Sequence, residues 1–205
     1  EEFVFSMIRE ILKTSRLDDG KRLYEIIARQ KARLQSSLAG AGHSTAVMRV
    51  SSYYSPGSYF QERIAGISYF RLLEDLEKNF EQRREEVTEN FRQLMKIIFR
   101  PENLMVSVVT DGKGYENLEE RVAGLKEELY TEEVPTGGIC YRFEQKNEGF
   151  KTAGQVQYVA VGGNFREAGF AYTGALRILK VILSYDYLWM NLRVKGGAYG
   201  CMCNF

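Results

Sequence analysis

At 205 residues, 44 % hydrophobic and 27 % charged, the chain has the composition of a folded globular protein and enough length to bury a core. Its 28 basic and 27 acidic residues leave a formal charge of +1. That excludes a general binder of nucleic acid or acidic membrane, because either needs a basic excess.

In chain order, Phe5, Ile8, Ile11 and Leu12 fall at helical spacing within Glu2 to Lys13. Asp18-Asp19-Gly20 breaks that helix and caps the next, Lys21 to Ala39, whose stripe is Leu23, Ile26, Ile27, Leu34 and Leu38. Gly40-Ala41-Gly42 ends it. The Ser- and Tyr-rich connection Ser51 to Ser58 carries Pro56-Gly57, a turn signal. Two further helices are expected, Phe60 to Asn79 and Glu81 to Phe99, the second with a stripe of Val87, Phe91, Leu94 and Ile98. The charge run Glu74 to Arg92 is the solvated face of these helices.

Character changes after Arg100-Pro101. Leu104 to Val109 is short, apolar and β-branched, which predicts a buried strand. A turn at Asp111-Gly112-Lys113-Gly114, a helix over Leu118 to Tyr130 and a loop at Pro135 to Gly138 follow. Strand-like runs at Ile139 to Gln145 and Val156 to Val161 precede a long helix from Arg166 to Asn191, and a last strand is expected to follow it. Strand, helix, strand, strand, helix, strand predicts an α+β fold, a two-layer α/β sandwich with helices on one face of a sheet, preceded by a helical segment. The boundary is expected between residues 99 and 100.

No segment offers the roughly 18 uninterrupted apolar residues of a membrane span. Phe170 to Met190 comes nearest and is broken by Arg177, Lys180 and Asp186. Three cysteines, Cys140, Cys201 and Cys203, are too few and odd for a disulfide framework, which favours a reducing compartment. The chain opens Glu-Glu-Phe without Met or a signal pattern, and it stops six residues after Tyr199 inside the last expected strand. Both ends read as boundaries within a longer protein.

Chemistry-bearing clusters are few. His43 is the single histidine, and Cys201 with Cys203 supplies only two thiolates, so the chain is not expected to hold a catalytic metal by itself. His43 follows Gly42 past a helix end, where an imidazole meets free carbonyls. One histidine leaves Ser44 and Cys201 without an evident base, and both cysteines read as small apolar strand residues. Neither Gly40-Ala41-Gly42 nor Gly162-Gly163 completes a phosphate loop. What remains is Arg193, Gly196, Gly197 and Tyr199 in the run LRVKGGAYG. Six extended residues would hold the two side chains ~20 Å apart. A bend at the glycines, which lack Cβ, would bring a guanidinium and a phenol to one small site. Spacing alone leaves a Gly-rich turn and a donor site as equal readings.

The run from Ala171 through Trp189-Met190-Asn191-Leu192-Arg193-Val194-Lys195-Gly196-Gly197-Ala198-Tyr199-Gly200 resembles the C-terminal half of the insulinase (pitrilysin) metallopeptidases, presequence-protease branch. The stretch with Leu38, Ser44 and Ala46 around Gly42-His43 is similar to the segment before the last domain of that branch. The resemblance implies a clam-shell zinc endopeptidase of two halves, of LuxS/MPP-like domains with ferredoxin-like elements. Residues 1–99 would end its third domain, and 100–205 would be an incomplete fourth. Zinc would be held by an H-x-x-E-H motif in the N-terminal half, absent here. In this family the Arg and Tyr of the C-terminal half contact the bound peptide beside the zinc; carried over, those roles fall on Arg193 and Tyr199, with Gly196 and Gly197 lining the substrate. The implied partners are an unfolded peptide and the N-terminal half of the same protease, without nucleic acid or membrane, in the cytoplasm or an organelle matrix. The residues present would be inactive alone. A non-catalytic peptide-binding or scaffold subunit of the same superfamily is the alternative, and a helix-rich interaction domain a third.

Overall fold

The computed structural model describes residues 2–134, 137–138, 140–141 and 143–205. In chain order its helices are α1 (Glu2–Thr14), α2 (Gly20–Gly40), α3 (Gly42–Ser51), α4 (Pro56–Ala65), α5 (Ile67–Lys78) and α6 (Phe80–Ile98). A 3₁₀ turn (Pro101–Asn103), the one-turn α7 (Gly112–Tyr115), α8 (Leu118–Glu127), α9 (Ala175–Ile182) and a π-helix (Leu183–Lys195) complete the order. The chain divides into two compact units, residues 1–160 and 161–205.

The first unit is built on α2. The Asp19 carboxylate accepts the Arg22 N–H at 3.0 Å and so satisfies one of the free donors of the first turn. The Leu23, Ile27 and Leu34 face of α2 then packs on α5 and on the start of α6. Ile27, Leu73 and Phe80 are buried there, with Leu23, Leu34, Tyr69 and Leu76 against them. Burial of each large apolar side chain contributes about 1.5–3 kcal/mol, so this cluster anchors the unit. Tyr24 meets Phe80 edge-on with centroids 5.5 Å apart. At the far end, Glu128 binds Arg9 and Lys13 of α1 at 3.2 and 2.9 Å.

The helices depart from expectation in three places. Gly40-Ala41-Gly42 does end α2, but the chain re-enters a helix at once, as α3. Pro56 opens α4 rather than making a turn: Ser55 is the N-cap, accepting the Ser58 N–H, and proline at the first position forfeits no hydrogen bond. The expected helix over Phe60 to Asn79 is two, split at Gly66, where a Cβ would lie 2.8 Å from the Glu62 carbonyl oxygen.

That break has a chemical purpose. Gly66 offers no capping side chain to α5, and Glu62 does so from the preceding helix: its Oε1 accepts the Ser68 N–H at 2.8 Å. Glu62 is 2 % exposed. Arg49, from α3, donates through Nη1 to the same Oε1 at 2.9 Å and to Ser68 Oγ at 3.2 Å. The other edge of Arg49 forks onto Glu148, Nε to Oε2 at 2.7 Å and Nη2 to Oε1 at 3.0 Å. Tyr53 also donates to Glu148. Arg49 lies over the rings of Tyr53 and Phe150, and Arg71 over Phe150. One guanidinium thereby joins α3, α4 and α5 to the irregular segment around Glu148. Its hydrogen bond to Glu148 raises the Arg49 pKa. Arg49 in turn pushes the Glu148 carboxyl down to about 2. Tyr59 of α4 extends the seam, meeting Tyr141 and Phe143 edge-on at 5.7 and 6.3 Å.

The α+β two-layer sandwich does not form: among the described residues every regular element is helical. The run 104–109 begins extended, Leu104 having φ −79° and ψ 116°. Composition specifies that much. A strand also needs a partner, since sheets draw their stability from cross-strand pairs. Among the described residues no backbone hydrogen bond joins 104–109 to 156–161. Met105 is 90 % exposed and Val161 94 %, where buried strands were expected. The expected strand Ile139 to Gln145 and the loop Pro135 to Gly138 fall partly on residues 135, 136, 139 and 142, outside the described residues.

In the second unit, the expected helix Arg166 to Asn191 starts later. Asn164 Oδ1 accepts the Arg166 N–H at 3.1 Å and directs the chain into turns over residues 165–169, closed by Gly169 at φ +85°. Helix α9 begins at Ala175 and widens into the π-helix, which runs on to Lys195.

Candidate functional site

The π-helix ends at the two glycines, and each is needed for a different reason. Gly197 has φ +71°, a backbone region that favours glycine. A Cβ on Gly196 would lie 2.7 Å from the Leu192 carbonyl oxygen. The turn is closed by nested hydrogen bonds, Gly197 N–H to Arg193 O and Ala198 N–H to Leu192 O, each 3.0 Å. This is the logic of a left-handed glycine terminator, which satisfies carbonyls left free at a helix end. Gly197→Ala is expected to lower stability by about 1–2 kcal/mol, the cost of placing a Cβ residue in left-handed backbone. Urea unfolding measures it; a change under about 0.5 kcal/mol would mean the turn has another conformation.

The turn folds Tyr199 back onto Arg193. The Arg193 carbon Cζ lies 5.9 Å from the centroid of the Tyr199 ring, and its Nη1 donates to the Tyr199 carbonyl oxygen. On the other side Cζ lies 4.7 Å from the Trp189 ring centroid. The bend expected from the glycines therefore brings Arg193, Gly196, Gly197 and Tyr199 together. Tyr199 is 93 % exposed, so its hydroxyl faces solvent. A guanidinium has five N–H donors; one goes to the Tyr199 carbonyl, leaving a cationic edge beside a phenol. Such a site offers donors and positive charge, which suits a carbonyl or carboxylate. Trp189 is a contributor that sequence reasoning passed over. Its signal was its place four residues before Arg193, within reach on one helical face.

The other candidates do not converge. His43 sits in the first turn of α3, not past a helix end, with its ring 6.1 Å from Tyr158. Cys201 and Cys203 are free and half-buried outside any strand, and Cys140 is free and exposed. Among the described residues no three His, Cys, Asp or Glu side chains gather where they could hold a metal ion. At the turn the groups are N–H and O–H donors, one of them cationic, so a zinc ion does not fit there. Among the same residues no helix is long and apolar enough to cross a membrane.

Two family models match the chain: a region associated with peptidases of the presequence-protease subfamily over residues 1–76, and the PreP C-terminal domain over residues 147–205. The second covers the whole Arg193–Tyr199 turn, and the Arg49–Glu148 pair joins a residue of one match to a residue of the other. The chain is 36 % identical over 199 residues to Protein HypA of Clostridium perfringens, covering 97 % of this chain and 20 % of that protein. It is 28 % identical over 205 residues to Presequence protease 1, chloroplastic/mitochondrial, of Arabidopsis thaliana, covering 98 % and 19 %. It is also 28 % identical over 208 residues to the mitochondrial presequence protease of Yarrowia lipolytica, covering 97 % and 20 %. The chain belongs to the presequence-protease branch of the insulinase-type peptidase family. It spans about a fifth of the length of these curated relatives.

Proposed function

We propose that this chain is part of the C-terminal half of a metalloendopeptidase that degrades unfolded peptides, and that Arg193 and Tyr199 contact the bound peptide at the reacting carbonyl. The observation that carries this reading is the glycine turn that presents a guanidinium edge beside an exposed phenol. As the carbonyl carbon is attacked, negative charge builds on its oxygen. Donors fixed beforehand around that oxygen lower the barrier because they need no reorganisation as charge develops. Gly196 and Gly197 line the approach, where the lack of side chains lets a peptide backbone come close.

In this reading residues 1–99 close the third domain of the protease and 100–205 belong to its fourth. Zinc, the metal of such an enzyme, is bound by its N-terminal half, which is the partner of this portion. The names of the two presequence proteases support an organelle matrix or the equivalent cytosol as the working compartment.

The test is cleavage of a quenched, unstructured peptide of ~20 residues by the full-length protein, with and without a metal chelator. Cleavage that the chelator abolishes and added zinc restores is the expected result. A folded full-length protein that binds the peptide without cutting it would overturn the enzymatic reading.

A further inference from the structure

Arg193 is a long, rotamer-rich side chain on an open surface, where nothing in its covalent structure fixes the direction of its fork. Three contacts fix it here: the Trp189 ring at 4.7 Å, the Tyr199 ring at 5.9 Å and the hydrogen bond to the Tyr199 carbonyl. Two of the three come from Tyr199, a residue 93 % exposed and beyond a glycine hinge. Trp189 is the contact on the helix side, and its indole is the strongest cation–π acceptor among side chains. It is itself 41 % exposed and, among the described residues, pairs with no other aromatic ring. An indole held half in water with a guanidinium as its ring contact is a platform rather than a core residue.

We infer that Trp189 is the positioning residue of Arg193: its ring holds the guanidinium so that the edge not bound to the Tyr199 carbonyl stays turned to the ligand. The inference rests on the reading of Arg193 as a peptide contact. Removing the platform leaves the charge in place and loosens its aim. The loss should therefore fall on kcat more than on KM, because aim matters most where charge develops. A cation–π contact of this kind corresponds to about a 5- to 30-fold effect, the larger value applying once a bound peptide excludes water.

The experiment uses the full-length protein and a quenched unstructured peptide, with far-UV circular dichroism on every variant. Trp189→Ala should lower kcat/KM about 5- to 30-fold, most of it in kcat. Trp189→Phe, which keeps a π face, should recover most of the activity, whereas Trp189→Leu, which keeps only apolar bulk, should not. Where alanine prevents folding, the Phe and Leu pair carries the comparison, since both fill the space. In an Arg193→Ala background, Trp189→Ala should add less than about a twofold loss, because the platform then has nothing to hold. Equal activity of the Leu and Phe variants, or a full additive loss in the Arg193→Ala background, would overturn the positioning role alone. An Arg193→Ala change under about threefold would overturn the peptide-contact reading and this role with it.

Discussion

Replacing Arg49 by alanine is expected to destabilise the protein by about 3 kcal/mol, at the low end of the 3–5 kcal/mol typical of removing one partner from a buried pair. The cost comes from what is left behind. Glu62 is 2 % exposed and would keep its charge without its cation. The Ser68 N–H, at 2.8 Å, and the start of α5 would offset part of that charge, which places the effect at the low end of the range. Glu148 would lose both arms of its fork, and the irregular segment around it would lose its tie to α3. Arg49→Lys should recover little, because a lysine cannot form the fork to Glu148 while also reaching Glu62. Urea unfolding followed by far-UV circular dichroism measures the loss. A loss under about 1 kcal/mol would mean that the network contributes no more than surface ion pairs do.

The same network sets an acid limit. The Glu148 carboxyl falls from an ordinary 4.5 to about 2, chiefly through its hydrogen bonds with Arg49. Between those values the unfolded chain binds the proton and the folded chain does not, so folding loses stability as pH falls through that window. Above 4.5 the contribution is fully present. In Arg49→Ala the depression is relieved, and the acid-dependent part of the stability curve should flatten over the same interval.

What could be read from the chain beforehand follows the range of the interactions involved. Helices α2 and α6 were legible because cap, stripe and length are local: Asp19 precedes a Leu23, Ile27, Leu34 face, and Val87 lies in the buried face of α6. Helix α3 was not. Gly40-Ala41-Gly42 carries a true stop signal, and no local rule says that the chain restarts within one residue. The β-branched runs specified extended backbone but could not specify pairing, which depends on segments distant in sequence. The Arg49–Glu148 fork spans 99 positions and leaves no mark on either residue's neighbours. At the turn the reverse holds. Arg193 and Tyr199 are six residues apart with two glycines between them, and both the φ of Gly197 and the close approach at Gly196 are local consequences of that spacing. Trp189 escaped notice because an aromatic on an apolar helix resembles its neighbours until a cation is found on its face.

Arg193→Ala and Tyr199→Phe are each expected to lower turnover of the full-length protein by ~10²-fold or more, the loss typical of removing one oxyanion donor. The two substitutions probe different parts of the same arrangement. Alanine at 193 removes the cation, the fork and the hydrogen bond to the Tyr199 carbonyl together. Phenylalanine at 199 removes only a hydroxyl and keeps the ring on which Arg193 leans at 5.9 Å, so the turn and the guanidinium should stay in place. A large loss in Tyr199→Phe with unchanged circular dichroism and peptide affinity therefore assigns the effect to the phenol O–H in the transition state. Arg193→Lys separates charge from geometry: an ammonium keeps the positive charge, but a lysine cannot donate to the Tyr199 carbonyl and also present a planar edge to the peptide. It should fall close to Arg193→Ala in kcat while retaining more of the peptide affinity. Loss of less than threefold in both Arg193→Ala and Tyr199→Phe would sink the donor reading. The glycine turn would then be a helix terminator whose flanking side chains carry no chemistry.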